Sequence, residues 1–204
     1  MLKIIPFLLS VFIISLSGTL MPGPVFAVTL AKSYKDKWAG VFISIGHGLI
    51  EFPIMFLIYF GFAPFFASKT LKTSVAFIGG IVMICLGIQM ILERKKIALT
   101  EKDLPYNSLG AGIITTASSP HFFVWWASLG SALILTSSKF GFLGFILFAL
   151  VHWLSDLLWY VLISFTIFKS KHIWSKKVHE IIISISAVIL AGFGIWFVLS
   201  AGKF

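Results

Sequence analysis

Residues 18–31 read GTLMPGPVFAVTLA, and residues 113–126 read IITTASSPHFFVWW. Both set proline inside a long apolar run, Pro22 and Pro24 in the first and Pro120 in the second. Proline lacks an amide hydrogen and its ring collides with the carbonyl one turn earlier, so each stretch interrupts a helix. Hydrocarbon tolerates such a break only where neighbouring protein or a water-filled cavity satisfies the freed backbone groups. Beyond each break the next apolar run carries a histidine four residues ahead of an acid: His47 and Glu51 after the first, His152 and Asp156 after the second. Ionisable groups are as unfavourable in a bilayer as open backbone, so two breaks and four such groups point to one polar cavity shared by two halves.

The rest of the chain has the composition of an integral membrane protein. Of its 204 residues, 59% are hydrophobic, 22 are phenylalanine and only 11% are charged, with a mean hydropathy of +1.04. Soluble domains average about 25% charged residues. Runs of the roughly 20 apolar residues that cross hydrocarbon as a helix fall at 4–31, 38–62, 73–92, 109–135, 140–168 and 178–201. Membrane strands are shorter and alternate apolar with polar positions; runs such as 142–150 do not alternate. The expected fold is therefore all-α, with six transmembrane helices of which the first and fourth are broken at proline. The longest polar stretch divides the single transmembrane domain, 1–204, into repeat 1 at 1–92, a linker at 93–108 and repeat 2 at 109–204. Three spans per half make the halves antiparallel, so any relation between them is an inverted repeat. The shared order of break and His-x-x-x-acid supports that relation, although the interval from Pro24 to His47 is shorter than that from Pro120 to His152.

The net charge of +9 is spread over short loops rather than along a basic face, which argues for lipid and cytoplasm as neighbours and against nucleic acid. Lys32, Lys35 and Lys37, then Arg94, Lys95, Lys96 and Lys102, then Lys169, Lys171, Lys176 and Lys177 all fall on one side of a six-span chain. The opposite side has Lys3, Lys69, Lys72, Lys139 and Lys203, so the positive-inside rule places both termini of this multi-pass cell-membrane protein outside the cytoplasm. Residues 1–27 have a second reading as a signal peptide, with Lys3 followed by an apolar stretch and small residues near Ala27, but the apolar run that continues past the prolines favours a retained span. The single cysteine, Cys85, excludes an intrachain disulfide and a cysteine metal site, and reads as a small packing hydrophobe.

Glu51 and Asp156 each lie near the middle of a span, where a charge costs roughly 2.5 to 3.5 kcal/mol even on a lenient insertion scale. Each shares a helix face with its histidine, and imidazole beside carboxylate suits a proton relay. Pro53 frees a further carbonyl, that of Leu49, close to Glu51. The expected ion-coupling residues are thus Glu51, Asp156, His47 and His152. Freed carbonyls suit a cation and the N-terminus of a half-helix suits a carboxylate, which nominates Pro22, Gly23, Pro24, Ser118, Ser119, Pro120 and Trp125 for substrate binding. Thr115 and Thr116 supply hydroxyls one turn before the second break. An intramembrane metalloenzyme built on the same two histidines and two carboxylates, with His121 beside Pro120, stays open as an alternative, as does a transporter of metal ions or other small solutes. So does an accessory membrane subunit. No Walker-type loop is present, nothing requires a cofactor, and neither an enzyme nor an ATP-driven pump is the expected class. Ala76-x-x-x-Gly80 and Ala187-x-x-x-Ala191 read as close-packing helix faces.

Met21-Pro22-Gly23-Pro24 followed by an apolar run and a basic loop, then Ala39-Gly40 and Gly46-His47-Gly48, resembles the LysE/RhtB family of amino acid exporters. The likeness extends to Ser119-Pro120 followed by Phe122, Phe123, Trp125 and Trp126, and so covers essentially the whole chain. It implies a secondary transporter that exports amino acids or related small metabolites by alternating access, driven by a proton or sodium gradient, from a six-helix bundle that forms a homodimer. Relatives often have asparagine where this chain has Ser119, and the pairing of His47 with Glu51 is a second departure.

Overall fold

The computed structural model describes residues 4–20, 23–100, 106–173 and 176–203. Pro22, with Met21 before it, lies outside the described residues, as do Lys3 and Lys102. Every regular element among the described residues is helical, which is how an apolar chain satisfies its own backbone where water is absent. The helices are α1 (Ile4–Thr19), α2 (Pro24–Ser33), α3 (Ala39–Leu57), α4 (Ala63–Ala67), α5 (Lys69–Thr100), α6 (Ser108–Ala117), α7 (Pro120–Trp125), α8 (Ser131–Ser138), α9 (Gly141–Ser170) and α10 (Lys176–Ser200). Wide turns at Ile58–Phe62 and Trp126–Gly130 join α3 to α4 and α7 to α8. In the first, Gly61 has φ 99°, a conformation that only glycine adopts easily. In the second, the Ser131 hydroxyl donates to the Trp126 carbonyl at 2.6 Å and so satisfies a group that the wide turn releases.

Four segments are long and apolar enough to cross a bilayer as one helix: Ala39–Phe66, Lys69–Leu92, Gly141–Ser170 and Glu180–Ser200. The other two expected spans are divided: 4–31 at its prolines into helices of 16 and 10 residues, and 109–135 at Pro120 and again at the Trp126–Gly130 turn into helices of 10, 6 and 8. Both breaks have the same local form, one extended residue followed by proline at the first helical position. Gly23 (φ −145°, ψ −174°) precedes Pro24, and Ser119 (φ −91°, ψ 105°) precedes Pro120. Proline suits that position because its missing N–H would have no partner in the first turn anyway. Pro53, by contrast, lies inside α3 without ending it. It is exposed along with Leu49 while Glu51 is buried, so this proline belongs to the outer side of the helix and opens nothing beside the acid.

Packing is set by glycine notches. A Cβ on Gly46 would overlap the Leu109 carbonyl oxygen, and one on Gly112 would overlap that of Ile43, so α3 and α6 cross backbone to backbone. Gly40 meets the Tyr160 carbonyl in the same way where α3 crosses α9, and Gly79 of α5 sits against the Ser118 carbonyl at the second break. On the α5 and α10 pair, Gly80 faces Gly194, and Gly87 faces Ala187 and Ala191, so both small-residue motifs serve contacts within the chain. One apolar core, including Ala31, Ile43, Met90 and Ile183, lies toward the basic loops. A second, including Met55, Trp126, Phe145 and Phe148, lies toward the opposite ends of the helices. Leu9, Ile13, Ile78, Leu92, Leu135, Leu143 and Leu199 are exposed, the outward apolar face that a lipid-bathed bundle presents. Cys85 belongs to that face rather than to a packed interior.

Candidate functional site

Between the two cores, α3 and α9 bring all four ionisable residues of the sequence motifs into one cluster. His47 and Glu51 are on α3; His152 and Asp156 are on α9. None is more than 9% exposed, so neighbouring protein groups must supply what water would. The Nε2 atoms of both histidines face the same oxygen, Glu51 Oε1, at 3.1 Å from His47 and 3.0 Å from His152. His47 Nε2 is also 3.3 Å from Asp156 Oδ2, which makes this one ring the link between the two carboxylates. The other nitrogens are held by hydroxyls: His47 Nδ1 lies 2.8 Å from Thr116 Oγ1, and His152 Nδ1 lies 2.6 Å from Ser15 Oγ. The Thr19 hydroxyl donates to Asp156 Oδ1.

This pattern is chemically consistent. With each imidazole carrying its hydrogen on Nε2, both rings donate to carboxylate, and both Nδ1 atoms accept from a hydroxyl. Aromatic rings fix the imidazoles further. His152 lies 5.0 Å from each of Trp125 and Trp126, and His47 meets Phe122 edge to face at 5.5 Å. One acceptor is left over, since Glu51 Oε2 is buried without a hydrogen-bond partner among the described residues. His47, Glu51 and Asp156 each offer one ligand atom within 4.8 Å of the others, a spacing that also suits a cation.

A cavity of about 310 Å³ opens onto this cluster. Gly23, Pro24, Ser119 and Trp125 line it with His47, Glu51, His152 and Asp156. Ser118 and Pro120 are buried and do not, Ser118 because its carbonyl is pressed against Gly79. The two breaks face one another across the space: a Cβ on Gly18 would stand 3.7 Å from Trp125 Nε1. They differ in their helix starts. Ser119 caps α7 with its own side chain, accepting from Phe122 N at 3.4 Å, whereas Gly23 gives α2 no side-chain cap. His121 is exposed, lines the cavity and stands apart from the group of converging ligand atoms. Ser15 and Thr19 were not among the sequence candidates. Their signal was available as two hydroxyls four residues apart on the helix just before the first break. Tyr160, Phe193 and Trp196 also line the cavity, and nothing local in sequence marks them.

The chain matches the LysE type translocator family over residues 16–201. It belongs to that family. Membership covers both breaks and all four ionisable residues, and makes this LysE-type translocator a multi-pass membrane protein of a family that moves small solutes. No curated protein and no solved structure matches the chain.

Proposed function

We propose that this LysE-type translocator is a secondary transporter that exports amino acids or related small metabolites, driven by a proton or sodium gradient. The observation that carries the reading is the buried cluster in which His47 links Glu51 to Asp156 at the edge of the cavity. Two carboxylates this close in a medium of low dielectric are best compensated by a bound proton or cation, and exchanging that ion with either side of the membrane couples it to the solute. Glu51 and Asp156 carry the coupling ion; His47 and His152 relay or tune it. Gly23, Pro24, Ser119 and Trp125 surround the solute. The first turn of α2, where Val25 and Phe26 line the cavity, receives its carboxylate.

Alternating access requires two units that rock about a fixed site. An exchange of hydroxyls supports six spans arranged as an inverted repeat: Ser15 of the first half holds His152 of the second, and Thr116 of the second holds His47 of the first. Packing follows the same exchange, α1 against α9 and α6 against α3. The basic loops face the cytoplasm in this reading, and the exposed apolar face leaves room for a second copy of the chain. The test is solute efflux from proteoliposomes. Glu51→Gln and Asp156→Asn are expected to abolish gradient-driven efflux in protein that still elutes as a folded species, and undiminished efflux in both variants rejects the coupling role.

A second reading has a specific observation in its favour. The ligand atoms of His47, Glu51 and Asp156 converge as they would around a divalent metal, with a hydroxyl behind the ring of His47 to orient it. Metal analysis of the purified protein decides it: stoichiometric zinc or manganese that is lost in His47→Ala supports this reading, and metal-free active protein rejects it.

A further inference from the structure

The cavity's walls differ sharply from its charged end. Phe26, Trp125, Tyr160, Phe193 and Trp196 present aromatic surface, and among the described lining residues there is no lysine, no arginine and no acid beyond Glu51 and Asp156. Those two acids are already engaged with the histidines and Thr19, except for the buried and unpartnered Glu51 Oε2. The polar groups of the site are few and gathered at one end: the four cluster residues, the hydroxyls of Ser15, Thr19, Thr116 and Ser119, and His121 at the exposed side.

Resting on the transporter reading above, we infer that the solute is a neutral amino acid, or a close amine analogue, with a bulky apolar and preferably aromatic side chain. Its ammonium group lies at the carboxylate end of the cavity, beside Glu51 and Asp156, and its carboxylate lies toward the first turn of α2. Its side chain lies against Trp125, Phe193 and Trp196. A second negative charge on the solute would face two carboxylates with no lysine or arginine to offset it. A second positive charge would lie against aromatic rings, and a cation–π contact offsets only part of what stripping water from an ammonium costs. A small side chain would leave the rings unfilled and forgo the burial that drives binding to an apolar wall. A cavity of about 310 Å³ is at the small end of ligand sites, in keeping with a single amino acid.

The test is counterflow in proteoliposomes of the full chain, which needs no imposed gradient, with radiolabelled phenylalanine, leucine, alanine, lysine and glutamate as probes. Phenylalanine and leucine are expected to exchange at least about tenfold faster than alanine, with lysine and glutamate at the rate of protein-free liposomes. Exchange of lysine or glutamate as fast as phenylalanine, or of alanine as fast as either bulky solute, overturns the substrate class and leaves the export reading standing. Exchange of none of the five overturns the export reading with it. Phe193→Ala is expected to lower the phenylalanine-to-alanine rate ratio about tenfold. Trp196→Ala, at a position 53% exposed, shifts the ratio the same way. An unchanged ratio in Trp196→Ala rejects these rings as the side-chain wall.

Discussion

Thr115 and Thr116 are adjacent and both fully buried, yet their hydroxyls have different tasks. Thr115 bonds back to the Ala111 carbonyl of its own helix at 2.6 Å, while Thr116 crosses to His47. Thr116→Val leaves a buried imidazole nitrogen without a partner, and is expected to lower stability by about 1 to 3 kcal/mol. Ser15→Ala does the same to His152. Thr115→Val removes a bond whose acceptor is already used within the helix, so a change of about 0.5 kcal/mol or less is expected. Thermal unfolding in detergent compares them, and equal losses at positions 115 and 116 would contradict the network. At this scale the sequence displays which residues are improbable in a membrane. It does not display their partners, because Glu51 and His152 stand 101 positions apart and meet only through packing.

Among the elements, the α3 and α6 crossing and the second break carry the most specific expectations. Alanine at Gly46 or Gly112 gains up to about 1 kcal/mol in helix propensity. It also drives a Cβ into a backbone oxygen of the facing helix, which no rotamer change relieves. Overpacking of that kind costs typically about 1 to 3 kcal/mol, so both variants should be less stable, and the loosened crossing should weaken transport through the His47–Thr116 contact. Gly192 is the control: nothing lies within 4 Å of an added Cβ, and Gly192→Ala should be neutral or stabilising. A stability gain in Gly46→Ala would refute the notch. At the second break, Ser119→Ala removes the cap of α7 at a cost of about 1 kcal/mol, while Ser119→Asn keeps an equivalent acceptor and should retain stability. Thermal unfolding in detergent compares the two variants, and equal losses would contradict the cap. The positions of the breaks are legible locally, because proline acts on its own helix. The difference between them, one capped and one open to the cavity, depends on which side chain precedes the proline and what faces it.

For the molecule as a whole, the lysine and arginine distribution predicts an orientation that chemistry can read. In a Cys85→Ser background, Lys139→Cys should react with an impermeant maleimide in intact cells, and Lys37→Cys only after the membrane is opened; the reverse pattern would invert the assignment. Composition and periodicity by themselves determined that this chain lives in a membrane, that it is helical, where its helices break and which buried acids need explaining. Those properties follow from short-range rules: hydrocarbon demands internally bonded backbone, proline cannot donate, and a carboxylate must find a partner. Only the tertiary structure decided that the two His-x-x-x-acid steps are one cluster, that Ser15, Thr19 and Thr116 complete it, and that α10 contributes Phe193 and Trp196 to the same cavity. The physical reason is that these contacts are fixed by how closely helix backbones approach, and that approach is set by glycines on one helix meeting carbonyls on another far away in the chain.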